Sequence, residues 1–151
     1  MDATHQTMRC GVAGLTPPSV VQLSPDHRWR GANLRSEKVR PTLAKIEEHR
    51  LKLASDKSPL ATGDLGVAGI FDEGCSISDA VGVSKKKMNA EHLFSYTVLT
   101  EAKCCVETGT NVGISSSYIA AAMNAAGPDW QLHTLESSPY RIRLARDCTR
   151  I

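Results

Sequence analysis

The sequence predicts an α/β protein in which N-terminal helices precede a strand–helix–strand–helix unit. Three observations support this class: an amphipathic pattern over 40–54, an apolar run at 104–106 that leads into a glycine-containing turn, and a second apolar run at 131–135. Strands that alternate with helical patterns are typical of parallel sheets. With 151 residues, of which 41% are hydrophobic and 23% charged, the chain has enough apolar material for one core.

Two segments are expected to lack regular structure. Residues 1–35 contain three prolines and no apolar period, which predicts a flexible leader. Residues 58–74 contain four glycines, which predict a loop with several tight turns.

Residues 36–103 are expected to form a helical N-terminal segment. An apolar stripe that starts after a proline predicts a helix at about 40–54, and a second stripe predicts one at about 90–100. Between them, Ser76 and Asp79 have the spacing of a capping box, which predicts the start of a short helix.

The last part of the chain, 104–151, is expected to form the βαβα unit. The apolar run at 104–106 predicts a buried strand, and 114–126 has helical spacing with a Gly-Pro stop signal after it. A second strand is predicted at 131–135. Ser138 followed by a proline then predicts the N-cap of a helix that runs toward the chain end.

A right-handed crossover makes the two predicted strands parallel neighbours. The turns at 107–113 and 136–138 then lie at the same carboxyl edge of the sheet, where ligands of α/β proteins bind. Glu107 stands two residues before Gly109, Gly113 opens the following helix, and Glu136 ends the second strand. Glycines let a ligand approach the backbone closely, and a carboxylate such as Glu136 can accept hydrogen bonds from a ribose diol. The pattern therefore predicts a nucleotide-type cofactor site.

Composition argues against several other classes. Lys and Arg number 18 against 16 Asp and Glu, so the strong basic bias of a nucleic-acid-binding protein is missing. No signal-peptide or membrane-spanning run is evident. The five cysteines form an odd set without CxxC spacing, which favours reduced thiols. We therefore expect a soluble cytoplasmic protein that binds neither nucleic acid nor membrane.

Three further patterns have simpler interpretations. Lys85 to Lys87 are expected to form a solvated surface. The histidines are isolated, so the sequence predicts no metal site. The adjacent Cys104 and Cys105 are expected to pack in the core, because neighbours on a strand point to opposite faces and are poorly placed to form a disulfide.

The stretch CVETGTNVGISSSYIAAAM at 105–123, followed by LHTLESSP at 132–139, resembles motif I and the next acidic motif of class I S-adenosylmethionine-dependent methyltransferases, with the bacterial O-methyltransferase group as the nearest type. The resemblance implies a Rossmann-like sheet, S-adenosyl-L-methionine as cofactor, and methyl transfer to an oxygen of a small molecule. The cofactor-binding residues that it implies are Glu107, Gly109, Thr110, Asn111, Gly113, Ser115, Glu136 and Ser137.

Within this resemblance, the first acid and the glycine turn hold the methionine end of the cofactor, and Glu136 holds the ribose. The resemblance also implies that the segment Val83-Ser84-Lys85 crosses the cofactor. The sequence departs from the family at Asn111, where many members have a third glycine.

The family sheet continues with further strands after the unit seen at 104–151, so the resemblance implies a truncated, incomplete Rossmann-like domain. It identifies no catalytic residue. Partners therefore include a small-molecule methyl acceptor, and either a homodimer or a missing C-terminal complement.

Two alternatives remain open. The chain can be a non-catalytic truncated product or interaction module, since two parallel strands leave a sheet face and edge open. A less favoured alternative is a NAD-dependent oxidoreductase, whose site also combines glycines with a ribose-binding acid, although the turn here lacks the middle glycine of G-x-G-x-x-G.

Overall fold

The computed structural model describes residues 4–10, 36–60 and 74–150. These residues form a mixed α/β structure that contains a pair of parallel strands. In chain order the elements are β1 (Thr4–Cys10), α1 (Arg40–Ala54), α2 (Ile77–Gly82), α3 (Lys87–Leu99), β2 (Cys104–Thr108), α4 (Ile114–Ala126), β3 (Trp130–Glu136) and α5 (Pro139–Thr149).

The three strands form one sheet in the order β1-β3-β2. β2 and β3 are parallel, with Val106 opposite His133, as the crossover argument predicts. β1 is antiparallel to β3, and its Thr7 also lies opposite His133. The carboxyl ends of β2 and β3 therefore lie at one edge of the sheet.

β1 lies inside the segment that the sequence predicts to be a flexible leader, 1–35. At residues 4–10 the backbone instead pairs along the whole of β3. The sequence of this segment shows no strand period. The strand forms because it pairs with the edge of β3 that β2 does not occupy, and such long-range pairing is not visible in the local sequence. The rest of the predicted leader, and most of the predicted loop at 58–74, lie outside the described residues.

The predicted helices of the N-terminal segment are confirmed. α1 occupies the predicted range and buries Leu43, Ile46 and Leu53. α2 begins with the predicted capping box, in which the Ser76 hydroxyl accepts from the Asp79 N–H and the Asp79 carboxylate accepts from the Ser76 N–H. α3 begins earlier than predicted, because the apolar stripe that signals it starts only at its second turn.

α4 lies at the centre of the packing. Tyr118 and Ala122 are fully buried on it, and Ala90 and Phe94 of α3 are fully buried against the same core cluster. Small residues along α4 allow the neighbouring helix to approach closely. The other side of α4 covers one face of the sheet, where Met123 packs with Trp130 and Leu132.

β2 is only half covered, and the prediction of a buried strand is wrong for one of its faces. Exposure alternates along the strand: Cys104, Val106 and Thr108 are exposed, whereas Cys105 and Glu107 are partly buried. Val106 is 69% exposed. Of the predicted core pair of cysteines, only Cys105 therefore faces α4. Among the described residues no helix packs on the opposite face, so side chains there remain in solvent.

In residues 4–10, 36–60 and 74–150, none of the helices combines the length and the apolar character needed to span a bilayer.

Candidate functional site

The turn between β2 and α4, residues 109–113, lies at the carboxyl edge of the sheet. It is tied to the end of β3 because the N–H groups of Gly109 and Thr110 both donate to the Leu135 carbonyl, at 2.9 Å and 3.2 Å. The two segments that the sequence places at one edge are therefore in direct contact.

The backbone of this turn is left-handed at several positions. Gly113, the N-cap of α4, has φ +84°, and Asn111 has φ +51°. Asparagine tolerates this conformation better than most residues. A Cβ at Gly113 would lie 2.9 Å from the Ala145 Cα atom of α5. Glycine at this position is thus explained by the close approach of two helices, rather than by space for a ligand.

The Glu136 carboxylate accepts hydrogen bonds from three backbone N–H groups. Its Oε2 atom accepts from Asn111 at 2.7 Å, and its Oε1 atom accepts from Ser137 at 2.9 Å and Ser138 at 3.0 Å. The last two lie at the start of α5, where a negative charge is favoured by the helix dipole. One side chain thereby joins the turn after β2 to the turn after β3.

Glu107 lies in a different environment on the covered face of β2. Its Oε1 atom accepts from the Ser115 hydroxyl at 2.5 Å, and its Oε2 atom accepts from the Ser116 hydroxyl. Burial raises the pKa of Glu107 above its ordinary value of 4.5, against the opposing effects of these two hydroxyls and of the nearby Lys85 ammonium. The first turn of α4 thus holds this carboxyl group in place.

The side chain of Asn111 connects the turn to the N-terminal helices. Its amide nitrogen donates to the Ala80 carbonyl at 2.7 Å and to the Ser84 hydroxyl at 3.1 Å. The Asn111 Oδ1 atom and the Thr110 hydroxyl oxygen are both buried, and neither has a hydrogen-bond partner. Buried polar atoms without partners are uncommon, and each calls for an explanation.

All the residues that the sequence predicts for the cofactor site lie at or beside this edge. The structure brings Glu136 together with Asn111 and Ser137, and Glu107 together with Ser115, whereas no hydrogen bond joins the two acids. Gly109 has open space where a Cβ would be, so the backbone there is accessible to a ligand.

Some contacts were not predicted as part of the site. The Ser116 hydroxyl donates to Glu107, although the sequence pointed only to Ser115. Ser138 was predicted as an N-cap, and this is confirmed because its hydroxyl accepts from the Arg141 N–H at 3.2 Å. The segment at 83–85, which the resemblance places across the cofactor, contacts the turn through the Ser84 hydroxyl, which accepts from the Asn111 side chain at 3.1 Å. The sequence carries a signal for Ser138 in its N-cap position, and none that separates Ser116 from Ser115.

The three consecutive lysines lie at the surface, as expected. Lys85, Lys86 and Lys87 are exposed, and Lys87 pairs with Glu91 at 3.9 Å. Within the described ranges no group of three or more His, Cys, Asp or Glu side chains is arranged to hold a metal ion.

Comparison with known proteins gives no match: no family model, no curated protein and no solved structure is similar to this chain.

Proposed function

We propose that the carboxyl edge of β2 and β3 binds S-adenosyl-L-methionine, and that the chain is part of a class I methyltransferase that acts on an oxygen of a small molecule. The observation that carries this proposal is the bridge from Glu136 to the Asn111 N–H. It holds a glycine-bearing turn, a helix start and an acid at the end of the next strand in one place, and this combination suits a nucleoside with an attached amino acid.

The groups left over at the edge fit such a ligand. A carboxylate offers about four acceptor positions, and Glu136 uses three for N–H groups, so its Oε2 atom retains one for a ribose hydroxyl. The Thr110 hydroxyl and the Asn111 Oδ1 atom also lack hydrogen-bond partners, but both atoms are buried, so the polar contact offered to a ligand is that of Glu136.

Glu107 is assigned to the amino-acid end of the ligand. Its carboxyl group is partly buried and held by two serine hydroxyls, so it is oriented before a ligand arrives. A carboxylate in this position attracts an ammonium group, and the cost of ionising it in a buried site is offset when that cation binds.

The cofactor supplies an electrophilic methyl group on a sulfonium. Held by Glu136 at the ribose and by Glu107 at the amino-acid end, it would pass this methyl group to the acceptor oxygen and leave as a neutral thioether, with the proton of the acceptor going to water. The contribution of the described residues is to bind and orient the donor, which is the main source of rate in a transfer of this kind.

A second candidate is a non-catalytic interaction module. It is favoured by the uncovered face of β2, where Val106 is 69% exposed, because such faces are normally buried against another layer. The NAD-dependent oxidoreductase has no comparable support. A cytoplasmic location remains part of the proposal, and the free state of the described cysteines, Cys75, Cys104, Cys105 and Cys148, is consistent with it.

The first test is isothermal titration of the chain with S-adenosylhomocysteine, using Glu136→Gln as the variant. Glutamine keeps the shape but puts an NH₂ group or a neutral oxygen where a ribose hydroxyl and the Asn111 N–H need an acceptor. We expect at least a tenfold loss of affinity, about 1.4 kcal/mol. Asp129→Asn, an exposed acid before β3, is the charge-matched control and should bind like the wild type.

Circular dichroism establishes that both variants are folded. Equal affinity in Glu136→Gln and the wild type would contradict the assignment of Glu136. Binding of NADH in place of S-adenosylhomocysteine would favour the oxidoreductase, and binding of neither by a folded chain would favour the interaction module.

A further inference from the structure

A charged cluster joins α1 to α4 away from the candidate cofactor site. The Glu47 Oε1 atom accepts from the Tyr118 hydroxyl at 2.8 Å and from the Arg50 Nε atom at 3.1 Å. Burial and the hydrogen bond to Glu47 raise the pKa of Tyr118, so its hydroxyl stays protonated and donates. The Arg50 and Glu47 side chains are only 12% and 19% exposed, so solvent and salt screen this pair less than an ordinary surface ion pair.

Arg50 also reaches a distant part of the chain. Its Nη1 atom donates to the backbone carbonyl of Lys85 at 2.5 Å. Lys85 belongs to the connection between α2 and α3, residues 83–86. A planar guanidinium can hold Glu47 through one nitrogen and the Lys85 carbonyl through another, which a lysine ammonium cannot do with the same geometry.

The connection at 83–86 also contacts the turn at 109–113. The residue before Lys85, Ser84, accepts from the Asn111 side-chain amide at 3.1 Å, and the Asn111 N–H donates to Glu136 at 2.7 Å. Asn111 has φ +51°, a conformation that costs free energy and persists only where surrounding contacts hold it. Hydrogen bonds therefore connect Arg50 of α1 to Glu136 through the connection at 83–86 and Asn111, and the one step made by a peptide bond is that from Lys85 to Ser84.

We propose that Arg50 is a positioning residue for the candidate cofactor site: by holding the Lys85 carbonyl, it fixes the connection at 83–86 against Asn111. The inference rests on the proposed function. Arg50 touches neither Glu107 nor Glu136, so it acts on ligand binding through the left-handed conformation of Asn111.

The test compares variants that damage the same cluster in different ways. Arg50→Met removes both hydrogen bonds, and Arg50→Lys retains the charge but cannot serve both acceptors. Tyr118→Phe removes only the hydroxyl and leaves the bond from Arg50 to Lys85 intact, and Lys45→Met alters an exposed residue of α1. We expect about a tenfold loss of S-adenosylhomocysteine affinity in Arg50→Met and a smaller loss in Arg50→Lys. Tyr118→Phe and Lys45→Met should bind like the wild type.

Amide hydrogen exchange at Asn111 separates positioning from general destabilisation. Its N–H donates to Glu136, and we expect this N–H to exchange faster in the two Arg50 variants than in Tyr118→Phe. The increase should exceed the one that the difference in global stability between the variants accounts for. Equal affinities and equal Asn111 exchange in Arg50→Met and Tyr118→Phe would overturn the inference. If the wild type binds no S-adenosylhomocysteine, the proposed function is wrong, and Asn111 exchange alone decides whether Arg50 positions the turn.

Discussion

At the scale of single residues, the two acids of the site differ in what surrounds them. Glu136 receives three backbone N–H groups, which can only donate, and the Ser137 hydroxyl at a longer 3.5 Å, whereas both partners of the partly buried Glu107 are serine hydroxyls. A hydroxyl can donate to a carboxylate or accept from a carboxylic acid. Glu107 can therefore keep both partners in either protonation state. Because the Glu107 pKa is raised by burial, we expect its titration to change the free energy of unfolding.

Glu107→Gln tests this difference. Since burial raises the pKa of Glu107 above 4.5, the folded state binds its proton more tightly than the unfolded state does. The resulting stabilisation is present below pH 4.5 and is lost as the pH rises through the folded-state pKa. Glutamine cannot ionise, so the free energy of unfolding of the variant should improve relative to the wild type as the pH increases from that value.

Urea unfolding at a series of pH values measures this trend. Glu136→Gln, measured in parallel, shows how much of the trend is common to any loss of a carboxylate at this edge. A stability difference between Glu107→Gln and the wild type that stays constant with pH, or changes in the opposite direction, would show that burial does not dominate at Glu107.

At the scale of elements, the geometry of the site depends on how closely α4 and α5 approach each other. The start of α4 lies against Ala145 of α5, with the Cβ direction of Gly113 pointing at the Ala145 backbone. Both helices begin at the carboxyl edge of the sheet, so this contact acts together with the hydrogen bonds from the turn at 109–113 to Leu135 and Glu136. The same close approach therefore contributes to helix packing and to the geometry of the candidate site.

Two matched glycine substitutions separate conformational strain from this contact. Gly109→Ala carries only the strain of φ +76° in open space, which should cost about 1 kcal/mol. Gly113→Ala adds a clash with the α5 backbone to the strain of φ +84°, and should cost about 3 kcal/mol. Chemical denaturation of the two variants gives both values. A Gly113→Ala variant as stable as Gly109→Ala would contradict the close contact.

The helices could be predicted because their signals are local, and the parallel strand pair because a right-handed crossover makes two successive strands neighbours. The apolar stripe of α1, the capping box at Ser76 and the N-cap at Ser138 each lie within a few residues of what they specify. β1 could not be predicted, because it is defined by pairing with β3 far along the chain. The exposed face of β2 was missed for a related reason: burial depends on what packs against a strand, which its own residues do not encode.

The candidate site follows the same division. The two acids and the glycine turn were predicted to meet because parallel strands bring their carboxyl ends together. The hydrogen bond from Asn111 to Ala80, and that from Arg50 to Lys85, join positions far apart in sequence. The sequence separation of neither pair is typical of a known motif, so these contacts can be identified only in the three-dimensional structure.

At the scale of the whole molecule, the two faces of the sheet differ in how well the described residues cover them. α4 packs on the face that carries Leu132, while Val106 on the other face is 69% exposed. Among the strands that the structure describes, β2 lies at the edge of the sheet. A second copy of the chain or a further polypeptide that covered this face would leave the carboxyl edge accessible, since the candidate site is built from turns beyond the strand ends.

The most direct test of the central claim, that the carboxyl edge binds S-adenosyl-L-methionine, is a titration of the ¹⁵N-labelled chain with S-adenosylhomocysteine followed by amide chemical shifts. If the ligand binds at this edge, the largest changes will occur at 109–113 and 136–138, with little change at the opposite end of the strands near Cys104 and Gln131. Changes centred on that opposite end, or no saturable change in a folded chain, would contradict this claim.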